Sequence, residues 1–303
     1  MDWRGGGRVN AAYLLLMAVG AVLCAVLMNV RLRQQGMKWL PILPGVLLGA
    51  VFAKVGYVLL QWHYAYPRWG FSAFLKTQAD TFCFITGAVG VVLGVALSAR
   101  LRKMPVLKAL DAFAPAGALL AAVARFAEKH LDLLGTAGFE MPESLSSFPF
   151  ALTNEWGESY PAVFMLSFLA CLIASAFAFL VRQDGRPGTL FLRTSFYLAL
   201  PQIMMESLLA ECMKWGFVRV QQVLCAVVLL VVIIAECRHS AKDTFLHAWA
   251  PLMVMLLCVA GLVGVEFALD KSGLPAYVGY GAMAVLLIVI AVAECTAHRH
   301  ESD

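Results

Sequence analysis

Residues 111–130, DAFAPAGALLAAVARFAEKH, decide the fold. They form an apolar run of bilayer length that opens on Asp111 and carries Arg125 near its far end. A charge inside such a helix is costly, so it is expected to face a bundle interior or a water-filled cavity. Arg125 is therefore the first candidate site residue, and its planar fork suits a phosphate or a carboxylate. The bland alternative is an interfacial arginine snorkelling to water. Asp111 lies about 20 Å away at 1.5 Å per residue, too far to be a direct partner. Followed by Ala114 and Pro115, it is expected to cap the start of its own helix.

The rest of the chain resembles this stretch in character. Hydrophobic residues make up 61% of the 303 and charged residues 14%, with a mean hydropathy of +0.80. Soluble domains run at about 45–50% apolar and about 25% charged, so an integral membrane protein is expected. A spanning helix needs about 20 mainly apolar residues. Nine segments qualify: 11–30, 42–62, 81–99, 106–126, 161–181, 188–210, 217–235, 247–269 and 275–293. Continuous apolar runs exclude a transmembrane barrel, whose strands alternate in polarity. The expected fold class is all-α, a polytopic transmembrane helix bundle of about nine spans.

Lys and Arg in the short loops set the orientation. Arg31, Arg33, Lys38, Arg100, Arg102, Lys103, Lys108, Arg182, Arg186, Arg238, Lys242 and Arg299 fall on one face if the N-terminus is outside and the C-terminus cytoplasmic. Arg4 and Arg8 argue the other way and are outvoted. The long loop 127–160, with Glu140, Glu143, Glu155 and Glu158, then lies outside, as a small cap or a passive connector. The start of the chain reads as a first helix and not a cleaved signal peptide. The last two spans, after a charged hinge at 238–243, read as a two-helix extension (237–303) on a seven-helix core (1–236).

Several polar residues sit at membrane depth. Lys54 lies mid-span, far from either end of its apolar run, with Tyr57 three positions on along the same face. Glu206 follows Pro201 and Gln202 in a span broken by that proline, where a polar pocket is expected. Its pairing with Lys54 or Arg125 is one expectation; a purely structural ion pair is the other. Gln221 and Gln222 are placed to bond neighbouring helices. Glycines 45, 49 and 56, then 87, 90 and 94, give small faces for close helix packing. The eight cysteines are scattered singly as small buried hydrophobes, without zinc-like spacing, so neither metal nor cofactor is expected. No nucleophile is placed beside His63, His130 or His247, so a hydrolase triad has no support. No nucleic-acid motif appears.

Taken in order, these stretches resemble the prolipoprotein diacylglyceryl transferase family over roughly residues 11 to 236. Tyr13 in YLLLMAVG resembles the family's first-helix tyrosine. GAVFAKVGYVLL resembles its G-x-R-x-x-Y-V segment, with Lys54 in place of arginine and Tyr57 kept. FITGAVGVVLG resembles S-F-H-G-G-x-x-G, with Ile85 and Thr86 in place of His-Gly. DAFAPAGALLAAVAR resembles the signature through Arg125, after which the family's Gly-Asn-Phe is Ala127-Glu128-Lys129. RPGTLFLRTSFYLAL…ESLL resembles the sixth helix, with Glu206 kept, Leu209 where one arginine is expected and Pro201 or Gln202 where another is usual.

The resemblance implies a seven-helix fold with an outside N-terminus in the bacterial plasma membrane. It implies transfer of a diacylglyceryl group from phosphatidylglycerol to the cysteine thiol of a lipoprotein precursor. Arg125, Glu128 and Glu206 are then the catalytic candidates, and Lys54, Tyr57, Tyr13 and Gln202 the substrate-binding ones. The partners implied are a phosphatidylglycerol-like membrane phospholipid and a lipoprotein precursor or other membrane protein. Two functions from different classes follow: a diverged phospholipid-dependent transferase, or a catalytically inactive relative that binds lipid within a larger assembly. A solute transporter ranks third, because no paired repeat of broken helices is seen.

Overall fold

The computed structural model describes residues 10–131, 135–180, 186–210, 212–216, 218–240, 245–271 and 275–302. Of the residues named above, Arg4, Arg8, Arg182 and Lys242 lie outside the described residues, as do the side chains of His247 and Arg299. Among the described residues there are ten α-helices: α1 (Ala11–Gln34), α2 (Leu43–Leu60), α3 (Trp62–Trp69), α4 (Phe84–Leu101), α5 (Val106–Ala127), α6 (Val163–Leu180), α7 (Thr189–Leu208), α8 (Val220–Ser240), α9 (Phe245–Lys271) and α10 (Ala276–Ser302). Two short hairpins, β1 (Ala151–Thr153) with β2 (Ser159–Pro161) and β3 (Lys214–Trp215) with β4 (Val218–Arg219), account for the named strands.

Eight of these helices are long and apolar enough to cross a membrane. The protein is an all-α polytopic membrane bundle. The ninth segment read from sequence is α7. Its 20 residues span about 30 Å, but Arg193, Gln202 and Glu206 make it the most polar of the nine. The short α3 falls where the sequence reading placed a loop. Its WHYAYPRW is polar and holds Pro67, and stacking of Trp62 on Tyr66, with centroids 4.4 Å apart, accompanies the helical turn.

The chain divides into two compact units. The first takes in residues 1–194 and Leu208–Met213. Its inner helix is α5, with 14 of 22 residues buried against five of 24 in α1. The alanines of α5 explain this: 109, 112, 114, 116, 118, 122, 124 and 127 are all buried, leaving nothing bulky to hold neighbours away. Cys24, Met28 and Leu32 of α1 pack on Leu110, Phe113 and Leu120 of α5. Helices α2 and α4 meet through their glycines. A methyl added at Gly49 would lie 2.6 Å from Val91, and one at Gly94 would overlap the backbone of Gly45. Such close approach favours association in lipid, where van der Waals contact replaces the hydrophobic drive.

Asp111 does not cap its own helix. That helix begins five residues earlier, after Pro105, and Asp111 is buried inside it. Its carboxylate accepts the backbone N–H of Gly188 at 2.6 Å and of Phe191 at 2.9 Å, and so caps the start of α7. A carboxylate meeting the partial positive charge of a helix N-terminus is stabilising at both ends of the contact.

The segment between α5 and α6 is folded. Beyond a 3-10 turn at Glu128–His130, Ala137 and Met141 donate backbone N–H groups to Pro161 and Ser159, extending the first hairpin. Asn154 holds the hairpin tip, accepting from the backbone of Trp156 and Glu158 and donating to the Glu158 carboxylate. Tyr160 also donates to that carboxylate at 2.9 Å, which raises the phenol's pKa above its ordinary value.

The second unit takes in Ser195–Ser207 and Lys214–Asp303. Leu229 and Ile233 of α8, Met255 and Leu262 of α9, and Met283 and Ile290 of α10 are among its buried apolar residues.

Two outcomes test this account. Gly94→Val forces α2 and α4 apart and is expected to cost about 2 kcal/mol of stability, read from unfolding in detergent. Asp111→Ala removes both hydrogen bonds that cap the start of α7 and is expected to cost about 1–2 kcal/mol, with faster hydrogen exchange confined to residues 188–192.

Candidate functional site

In the first unit, Arg125 stands in the last turn of α5 and is 4% exposed. Its Nη1 donates to Glu128 Oε1 at 2.7 Å, an i,i+3 pair across the helix end. The guanidinium carbon lies 3.8 Å from the ring centroid of Phe84 at the start of α4. The arginine is thus held inside the protein by an ion pair and an aromatic face and does not snorkel. Tyr13, in the first turn of α1, lies within electrostatic reach of both Arg125 and Glu128, as does Cys171 of α6.

Gly135 shapes this corner. Its φ of +83° is left-handed, and a Cβ there would meet Glu128 Oε2 at 2.7 Å and Phe164 at 3.0 Å. Only glycine serves both the backbone and the carboxylate.

Lys54 of α2 is also buried. Its ammonium donates to Thr81 Oγ1 at 2.8 Å and to the Thr81 carbonyl at 3.3 Å. It sits 5.0 Å from the Phe82 ring and 5.6 Å from the ring of Tyr57. Thr81 Oγ1 in turn donates to the Gln78 carbonyl at 2.7 Å, so a chain of hydrogen bonds ties α2 to the turn before α4. Phe82 receives Lys54 and Phe84 receives Arg125, so the two cations flank the entry to α4. Cation–π contacts of this kind are worth about 2 kcal/mol when desolvated. Thr81, Phe82 and Phe84 escaped the sequence reading, because nothing in a lone threonine or phenylalanine marks it as a partner for a buried cation.

Just inside α4, Thr86 donates to the Cys83 carbonyl and packs against Gly56 so closely that a Cβ at Gly56 would overlap it. The Ile85-Thr86 departure is therefore accommodated by a specific small residue on α2.

Glu206 and Gln202 belong to the second unit. Glu206 is 0% exposed, and Gln202 Nε2, one turn earlier, donates to its Oε1 at 2.8 Å. Gln222 of α8 donates to the Ile203 carbonyl at 3.0 Å, a bond to a neighbouring helix of the kind its position suggested. Three residues that the sequence reading did not single out also converge here. Arg219 Nε lies 2.8 Å from Glu266 Oε1, and Ser207 Oγ donates to Glu266 Oε2 at 2.7 Å. Arg219 and Glu266 are 47 residues apart in the chain, and no local pattern couples them.

Fold and polar interior define a class: a multi-pass helical membrane protein that holds buried charged residues in defined polar contacts. The model of the prolipoprotein diacylglyceryl transferase family matches residues 8–237, and the chain belongs to that family. Membership makes it diacylglyceryl-transferase-like and ties it to lipoprotein biosynthesis. Helices α9 and α10 lie beyond the match. A comparison with curated proteins finds no match.

The buried Arg125–Glu128 pair gives a stability test. Arg125→Met or Glu128→Met alone strands a buried charge and is expected to cost about 3 kcal/mol. The double substitution is expected to cost less than either single one, measured by unfolding in detergent as a double-mutant cycle.

Proposed function

We propose that the protein is a diverged phospholipid-dependent diacylglyceryl transferase, working in a bacterial plasma membrane with its N-terminus outside and its C-terminus cytoplasmic. The carrying observation is Arg125, buried and ion-paired to Glu128 at 2.7 Å, with Tyr13 within electrostatic reach of both. A fixed cation beside a fixed carboxylate suits this chemistry. The cation stabilises charge on the departing phosphate, and the carboxylate takes a proton.

The step balances simply. The bond between the glyceryl carbon of phosphatidylglycerol and its phosphate oxygen breaks, and a bond from that carbon to the acceptor sulfur forms. The thiol proton goes to a base, and glycerol phosphate leaves. In this reading Arg125 meets the phosphate and Lys54, tied to Thr81, adds positive charge at the entry to α4. Glu128 takes the proton and Tyr13 and Tyr57 line the substrate; in the second unit, Glu206 with Gln202 beside it is the alternative acid–base and substrate-binding candidate. The acceptor is a lipoprotein precursor or another thiol-bearing membrane protein. The charge bias of the loops supports the orientation. The end of the family match at residue 237 supports a core of 1–236 with residues 237–303 as an extension.

A second reading draws on a separate observation. Ile85, Thr86 and Leu209 bring no charge where the family pattern has histidine and arginine. Loss of one such stabilising group costs about 3–4 kcal/mol in a transition state. A catalytically inactive, lipid-binding relative acting within a larger assembly would keep Arg125 and tolerate those changes.

Purified full-length protein in phosphatidylglycerol vesicles with a thiol-bearing lipoprotein-precursor peptide separates the two. Release of glycerol phosphate that falls by at least about a hundredfold in Arg125→Ala supports the transferase. Bound lipid without release, together with co-purification of a stoichiometric membrane partner, supports the second reading. Neither release nor bound lipid sinks both.

A further inference from the structure

We infer that the C-terminal helices complete the end of α7 that carries Glu206, and that Glu266 of α9 is a positioning residue acting through Arg219. The functional part of this inference rests on the reading that Glu206 serves the reaction.

Helix α7 is poorly equipped to hold its own end. Pro201, five residues before Glu206, has no N–H to give to the helix ladder. The last four carbonyls of any helix also lack partners within it. Leu209 follows with extended backbone and brings no charge. In an apolar surrounding, exposed backbone carbonyls of this kind are costly.

The missing contacts come from elsewhere in the second unit. Arg219, at the end of β4, donates through Nη1 to the backbone carbonyl of Glu206, placing a cation at the negative end of the α7 dipole. Tyr280 of α10 donates to the Ser207 carbonyl at 3.4 Å. An arginine brought to such a place needs a counter-charge, and Glu266 supplies it. One carboxylate oxygen takes Arg219 Nε and the other takes the Ser207 hydroxyl, so Glu266 grips both the capping cation and the capped helix. One turn below the proline, Tyr197 donates to Glu294 of α10 at 2.9 Å, a second tie from the extension to the same helix.

The polarity of these ties has a direction. Glu266, Tyr280 and Glu294 all lie beyond residue 237, where the family match ends, whereas Arg219, Ser207 and Tyr197 lie within it. The extension therefore supplies two carboxylates and one hydroxyl donor, and the matched region supplies the donors to those carboxylates and the carbonyl that Tyr280 meets. With the helix end held, the Gln202 amide stays registered on the Glu206 carboxylate at 2.8 Å. Loss of the Glu266 charge frees Arg219 to turn toward water and lets that register go.

The test uses full-length protein carrying Glu266→Gln, and the charge exchange Arg219→Glu/Glu266→Arg. Three quantities are read: backbone hydrogen exchange over residues 203–210, half-saturation by phosphatidylglycerol, and the rate of glycerol phosphate release. E266Q is expected to speed exchange in that segment at least tenfold while α2 and α4 stay unchanged. It is expected to lower kcat at least tenfold with half-saturation within about twofold, because the group lost positions the chemistry and not the lipid. The charge exchange is expected to recover neither loss, because it places a carboxylate where Arg219 capped the Glu206 carbonyl. Ser207→Ala, which spares the ion pair, should move the same readouts less, and it carries the test if E266Q does not fold. Unchanged exchange over 203–210 in both E266Q and S207A, or faster exchange spread equally over every span, overturns the proposal. Local loosening in E266Q alongside a wild type that never turns over lipid overturns the transferase reading and leaves the positioning role standing.

Discussion

A polar group carried into hydrocarbon must find its partner within the protein, and this single requirement organises both units. Each intramembrane charge that bears on the site is met by a defined contact. Asp111 is met by the backbone at the start of α7, Lys54 by Thr81, Arg125 by Glu128 and Phe84, and Arg219 by Glu266. Left unmet, any of these would cost several kcal/mol. The contacts therefore fix which helix faces which, while the apolar surface sets only which segments enter the membrane.

That requirement also explains the two unlike ends of α7. Its start is capped by an aspartate from the middle of α5, and its finish by an arginine from β4. The helix has too few apolar residues to be comfortable in lipid on its own terms. Capping from outside makes its polar sequence tolerable, and that in turn lets it carry Gln202 and Glu206. The polarity that weakens α7 as a span is what places the hydrogen-bonded Gln202–Glu206 pair inside the protein.

The candidate site in the first unit gains its character from small residues as much as from charged ones. Gly135 admits the Glu128 carboxylate, and Gly56 admits Thr86 beside the position where the family pattern has histidine. Arg125 keeps a carboxylate and an aromatic face around it although neighbouring family residues differ.

By itself the sequence determined the class, the spans and the family. Continuous apolar runs survive any folding detail, so eight of the nine segments coincide with membrane-length helices to within a few residues, and α7 with a helix of the same length. Arg219, in a short hairpin, escaped notice, but Asp111, Lys54 and Arg125 were legible too, since a charge in an apolar run stands out. Their partners were not. Thr81 lies 27 residues from Lys54, Gly188 lies 77 from Asp111, and Glu266 lies 47 from Arg219. The sequence local to Asp111 suggested a cap for its own helix, and packing turned the carboxylate to another. Helix α3 was hidden for a related reason, because its aromatic stacking forms only once the turn exists. Helical periodicity tells which residues share a face, but the face that meets it belongs to a different helix, and only the folded chain decides which one.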